Sequence, residues 1–105
     1  MATAKQELVN FLVKEAFDPV LEARPDGRSD AEKRKLKDVQ DATRSEIDRF
    51  RGYGSADDVV TNFKRDLDSE PARKIHRELK SLGLPTLGDV RPQFEKKARE
   101  LGVDA

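Results

Sequence analysis

The sequence contains no cysteine, and this absence excludes disulfide bonds and thiolate metal sites. It also contains no tryptophan, and its 105 residues include one histidine and one methionine. A lone histidine without cysteine falls short of the ligand sets that zinc sites use. We therefore predict a protein that holds no metal ion and no other cofactor.

Long apolar runs are missing as well. No stretch approaches the roughly 18 consecutive apolar residues that a membrane-spanning helix needs. The apolar segment near the N-terminus is interrupted by Asn10 and flanked by Glu7, Lys14 and Glu15, so it lacks the pattern of a signal peptide. We expect no contact with a membrane and, as the simplest localisation, a cytoplasmic protein.

An excess of either charge is absent too. The chain balances 21 acidic against 21 basic residues, so its overall field does not favour a polyanionic partner. Charged residues make up 40% and hydrophobic residues 35% of the chain, a composition toward the disordered side of the globular range. Whether it folds is therefore decided by the pattern of its apolar residues.

That pattern is helical throughout, and no segment alternates in the manner of a strand. Apolar residues recur at intervals of three and four in five segments, each with its own start and stop signals. The first has a wide apolar arc, which is typical of a helix that touches several neighbours. We predict an all-α fold over residues 1–105, a single compact domain of about five helices joined by short Gly/Pro turns.

The helix boundaries are marked by capping residues. Ser29 and Glu32 form a capping-box pattern, and Ser55 and Ser69 precede later helices. Gly83 predicts a Schellman stop. We also expect Asp18, followed by Pro19, to restart or kink the first helix, and Gly52 to end the second helix in a left-handed conformation.

The second helix carries a thin apolar stripe of Leu36, Val39, Thr43, Ile47 and Phe50. A stripe spaced at three and four over several turns is able to serve a helix–helix contact with another copy of the chain. Its many charged neighbours argue against a coiled coil.

The sequence offers few candidate catalytic residues. The familiar nucleophilic triads would require a serine beside His76, and most of the serines are explained as helix caps. The carboxylates are expected on solvated helix faces beside basic residues, where their pKa values stay ordinary. Residues 66–71 resemble a calcium loop at three acidic positions, but Pro71 and Arg77 stand where the loop needs glycine and glutamate. We predict that the protein is not an enzyme, unless polar groups converge near His76.

The fourth helix is basic, whereas the third is acidic. Its basic residues are Arg73, Lys74, Arg77 and Lys80. These side chains are expected either to pair with the acidic third helix or to contact the phosphates of a nucleic acid.

Residues 74–88, KIHRELKSLGLPTLG, bear on this choice. The spacing of Ile75, Leu79, Gly83 and Leu84, followed by Gly88, resembles the first half of the SAP motif, a helix–loop–helix module that binds DNA. The likeness covers about a seventh of the chain and ends before Val90, Pro92 and Phe94, which depart from the family's pattern. It implies DNA phosphate contacts from the basic residues of that helix and loop.

Residues 51–54, RGYG, share the opening of an RNA-binding strand signature. The following residues, Ser55 to Asp58, lack the aromatic positions of that strand, so we predict a turn between helices. Such a turn does not need Tyr53. Tyr53 and Phe11, which falls on the polar side of the first helix, either pack against the core or contact a partner.

These observations favour a small non-catalytic binding or adaptor protein that acts through helix-face contacts with a protein partner or with itself. The alternative is a nucleic-acid-binding protein that uses the basic helix 71–82 and the loop after it.

Overall fold

Hydroxyl side chains begin most of the helices in this protein, as the sequence predicts. A computed structural model describes residues 2–105. Ser29 forms the capping box with Glu32, and the Ser55 and Ser69 side chains accept hydrogen bonds from backbone N–H groups of the helices that follow. Helix α1 is continuous from Ala4 to Glu22 and consists of Ala4–Leu12, a π-helical turn Val13–Phe17 and Asp18–Glu22. The helices that follow it in the described chain are α2, Asp30–Arg51; α3, Ala56–Asp68; α4, Glu70–Ser81; and α5, Arg91–Glu100. A 3₁₀ turn, Leu87–Val90, comes directly before α5.

The fold is all-α, and residues 2–105 contain no strand. α1 packs against α2, α3 and α5, which confirms that it touches several neighbours. The domain is elongated, with extents of 45 × 28 × 22 Å. None of the helices in this part of the chain combines the length and apolar character needed to cross a membrane.

The buried side chains form two clusters that share α2. The larger cluster joins α1, the C-terminal half of α2, α3 and α5 around Phe50, Phe63 and Phe94. The smaller one joins the end of α1, the N-terminal half of α2 and α4 through residues such as Leu36 and Leu79. The middle of α2 therefore lies where the two clusters meet.

The apolar stripe of α2 is used inside the domain. All five of its residues are buried, and Thr43 Oγ1 donates a hydrogen bond to the carbonyl of Val39 at 2.7 Å. The hypothesis that this stripe contacts another copy is wrong, because folding leaves none of it exposed.

The first helix is irregular before Asp18, but of the predicted restart or kink the restart is wrong, because the helix continues through that residue. Asp18 has helical backbone angles, and its N–H donates to the carbonyl of Val13 across a widened π-helical turn. Proline cannot donate a hydrogen bond and clashes with the preceding turn of a regular α-helix, and a π bulge relieves this locally. Pro19 is thus accommodated by widening the helix before it. The helix ends where Gln40 of α2 donates to the carbonyls of Val20 and Ala23, each at 3.0 Å.

Two glycine positions behave differently. Gly83 has a φ of 74°, and the N–H of Leu84 donates to the carbonyl of Leu79 at 2.9 Å, which confirms the Schellman stop. Gly52, in contrast, has a φ of −82°. The prediction of a left-handed Gly52 is wrong, because α2 ends there in a right-handed turn held by hydrogen bonds from its N–H to the carbonyls of Asp48 and Arg49.

Candidate functional site

An open groove of about 340 Å³ lies between α2 and α4 and is closed at one end by the last turn of α3. Small side chains face each other across it, including Ala42 and Ser45 of α2 and Ala72 of α4. Because such side chains do not fill the space between two helices, the groove stays open. Its lining residues are Ala42, Ser45, Glu46, Arg49, Asp66, Ser69, Pro71, Ala72, Ile75 and His76.

A pair of carboxyl groups stands at the closed end of the groove. Glu46 projects from α2 and Asp66 from α3, with 20% and 9% of their side-chain surfaces exposed. Arg49 bridges them, since its Nη2 donates to Oε1 of Glu46 at 2.6 Å and also to Oδ2 of Asp66. Arg49 is itself 47% exposed, so the network opens to solvent on its arginine side.

The environment of Glu46 favours its protonated form. Burial is the largest cause, and the nearby Asp66 carboxyl adds to it as a hydrogen-bond acceptor and as a like charge, while Arg49 acts in the opposite direction. Together they raise the pKa of Glu46 to about 8. Glu46 is therefore mostly neutral at pH 7.

His76 lies on the α4 side of the same groove and is half-buried. Burial lowers the pKa of its imidazole, although the charges of Asp66 and Asp89 partly oppose this. The ring is thus mostly uncharged at neutral pH. Polar groups do converge beside His76, since Glu46, Arg49 and Asp66 line the same groove.

The expectation that all carboxylates lie on solvated faces is wrong for Glu46. In the sequence, Glu46 sits between Ser45 and Ile47 on a helix crowded with charges, and Asp66 follows Arg65. Apart from the place of Glu46 beside the core position Ile47, nothing local distinguishes either residue, because their burial arises only when α2, α3 and α4 pack together.

The acidic residues at 66–71 do not form a common site. Asp66 points into the groove, whereas Asp68 and Glu70 approach Arg73 at 3.9 and 3.5 Å. No group of three or more potential metal ligands occurs anywhere in residues 2–105.

The basic residues of α4 are only partly paired. Arg73 forms the exposed ion pairs with Asp68 and Glu70 just described. Lys74, Arg77 and Lys80 are exposed and lie within 4 Å of no carboxylate in the described part of the chain. Pairing between the acidic third helix and the basic fourth therefore accounts for one of the four basic residues.

Phe11 and Tyr53 both pack against the larger cluster. The Phe11 ring stacks on Phe94 with centroids 6.3 Å apart, and the Tyr53 ring meets Phe50 edge-on at 5.4 Å. The Tyr53 hydroxyl is buried without a hydrogen-bond partner among residues 2–105. The two aromatic residues are half-buried and lie apart, Phe11 on α1 and Tyr53 in the turn between α2 and α3, so they do not form a common site.

No family model matches the chain, and neither a curated protein nor a solved structure shows significant similarity to it. Residues 74–88, which resemble half of the SAP motif, form most of α4, its Schellman stop and the beginning of the 3₁₀ turn.

Proposed function

We propose that the protein is a small non-catalytic binding protein that holds a segment of a protein partner in the groove between α2 and α4. The groove carries this proposal, because it combines an open apolar floor with ionisable groups at one end. Ligand sites commonly have this composition, with apolar walls and a few polar groups that fix orientation. Outside the groove, every large apolar side chain in residues 2–105 is at least half-buried.

Binding explains the groove better than catalysis does. The enzyme interpretation requires polar groups near His76, and the groove supplies them. However, the Ser69 hydroxyl accepts a hydrogen bond from the N–H of Ala72 as the cap of α4, and Arg49 hydrogen-bonds one oxygen of each carboxyl group. Neither of the two serines that line the groove, Ser45 and Ser69, makes a hydrogen bond from its hydroxyl to His76 or to a carboxylate, and such a pair is what nucleophilic catalysis needs.

Filling the groove should abolish binding. Peptides selected from a displayed random library with the wild-type chain should lose at least about tenfold in affinity for Ala42→Phe, because the ring occupies the floor of the groove. Ala31→Phe places the same ring on an exposed position of the same helix and should bind as the wild type does. Affinities are measured by titration of fluorescently labelled peptide, and circular dichroism checks that both variants remain helical.

Two results would count against the proposal. One is that the library yields no peptide whose binding perturbs amide resonances of α2 and α4. The other is that Ala42→Phe and Ala31→Phe bind the selected peptides equally well.

A second candidate function, nucleic-acid binding, is supported by the unpaired basic residues of α4. Arg77 and Lys80 lie three residues apart on one face, and Lys74 stands beside them. Exposed cations without carboxylate partners are available to phosphate oxygens. The SAP resemblance of residues 74–88 implies the same contacts.

If these three residues contact phosphates, the affinity for duplex DNA should fall with salt. Three contacts correspond to a slope of about −2.7 in log K against log salt concentration. Changing Lys74, Arg77 and Lys80 to Gln should remove the binding, whereas the matched change of the exposed Lys33, Arg34 and Lys37 on α2 should not. Fluorescence anisotropy with a labelled duplex and with single-stranded RNA is the measurement. The absence of binding to either at low salt would exclude this function.

A further inference from the structure

The closed end of the groove is one positive charge short. Two carboxyl groups, Glu46 and Asp66, meet one guanidinium, that of Arg49. His76 is the ionisable residue of α4 that lines the same groove. It is mostly uncharged at neutral pH because burial lowers its pKa. With both carboxyl groups ionised, the cluster would hold two negative charges against one positive charge. Burial and the neighbouring Asp66 carboxyl raise the pKa of Glu46, and the protonated form that they favour removes this imbalance in the free protein.

The geometry leaves room for a second cation. Arg49 hydrogen-bonds one oxygen of each carboxyl group, Oε1 of Glu46 and Oδ2 of Asp66. Glu46 is 20% exposed, so its carboxyl group can be reached from the groove. The arginine side chain is about half-exposed, so the network is open to solvent on that side.

The floor of the groove suits the stem of a basic side chain. Ala42, Ala72 and Ile75 form an apolar lane that leads toward Glu46. Lysine and arginine have three- or four-carbon stems that pack along apolar surface while the charged end reaches a polar group. An anionic partner is disfavoured by the two carboxyl groups, and residues 2–105 contain no metal-ligand cluster.

We infer that the partner segment places one lysine or arginine side chain in this groove, with its charged end on the carboxyl group of Glu46. The inference rests on the proposed binding function and specifies the chemistry of its partner. The incoming cation takes the place of the proton on Glu46, so binding releases that proton to the solvent. The apolar lane holds the methylene stem, and the segments that flank the basic residue lie along α2 and α4.

The same peptide library tests this inference when it is selected in parallel against the wild type and Glu46→Gln. Peptides that bind the wild type should share a lysine or arginine at one position, and that position should lose its preference with the variant. Isothermal titration at pH 7 in buffers of different ionisation enthalpy should show a net release of protons on peptide binding. The variant should bind the wild-type peptides about tenfold more weakly and release none.

Glu15→Gln is the matched control, because it removes an exposed carboxylate of α1 that lies outside the groove. It should leave both affinity and proton release unchanged. Replacing the shared basic residue of the peptide by norleucine should have the same effect as Glu46→Gln, and the two changes together should cost no more than either alone.

The outcomes separate this inference from the proposed function. Peptides that need the open groove, as shown by Ala42→Phe, but carry no shared basic residue and release no proton would overturn the inference and keep the binding function. Unchanged affinity and proton release in Glu46→Gln would also overturn it, because Glu46 would then serve only the packing of α2 against α3. Failure to obtain any groove-binding peptide would overturn both.

Discussion

Replacing Phe94 by alanine should remove about 4 kcal/mol from the free energy of unfolding. Phe94 is 1% exposed, and its ring lies 4.1 Å from that of Phe63, centroid to centroid. Phe94 packs α5 against Phe63 of α3 and Phe11 of α1. A chain of this length has about 5–15 kcal/mol in total, so this single change should remove a large fraction of its stability.

Urea titration followed by far-ultraviolet circular dichroism is the suitable measurement, because the chain has no tryptophan to report by fluorescence. Phe11→Ala is the matched control. Phe11 stacks on the same Phe94 ring but is only half-buried, so its loss should cost about 1–2 kcal/mol. Equal losses in the two variants would show that α5 is not anchored through the centre of the larger cluster.

Much of the helical architecture follows from local sequence. The serine caps at 29, 55 and 69 and the Schellman stop at Gly83 each depend on residues within one turn of the chain. Such signals keep their meaning wherever the helix packs. The helix order and the turns between helices were therefore predictable without knowledge of the tertiary structure.

The errors in the helix predictions also have local physical causes. Asp18 and Pro19 carry a normal start signal, but a helix that is already formed is able to pass a proline by widening one turn. Gly52 is permitted a left-handed conformation but not obliged to adopt it, and its N–H finds carbonyl partners in a right-handed turn. In both places the sequence allows two backbone solutions, and packing selects one.

The groove, in contrast, could not be predicted from local sequence signals. Glu46 and Asp66 lie 20 positions apart in the sequence and belong to different helices. Their proximity depends on how α2 crosses the end of α3, and the open space depends on small residues of α2 and α4 facing each other. Periodicity predicts which face of α2 is buried, but it does not predict which charged residue at the border of that face is drawn in with it.

Glu46→Gln should make the protein progressively more stable than the wild type as the pH rises. In the unfolded chain Glu46 loses its proton near pH 4.5, whereas burial beside Asp66 raises its folded pKa to about 8. Between these values the folded state binds the extra proton. The stabilisation that the protonated form provides is complete below pH 4.5 and is lost as the pH rises through 8. Glutamine resembles the protonated carboxyl group and does not ionise, so its curve lacks this decline.

Between pH 5 and pH 9 the difference in unfolding free energy between Glu46→Gln and the wild type should grow by about 4 kcal/mol in favour of the variant. Urea titrations at one-unit steps of pH measure it. His76 contributes in the opposite sense at lower pH, but it is present in both proteins and cancels in the difference. Glu95→Gln is the control, because Arg91 holds the pKa of Glu95 below its usual value and its removal should give a curve parallel to the wild type over this range. A parallel curve for Glu46→Gln as well would mean that Glu46 is already ionised in the folded protein, and the groove would then hold an unmatched negative charge instead of a proton.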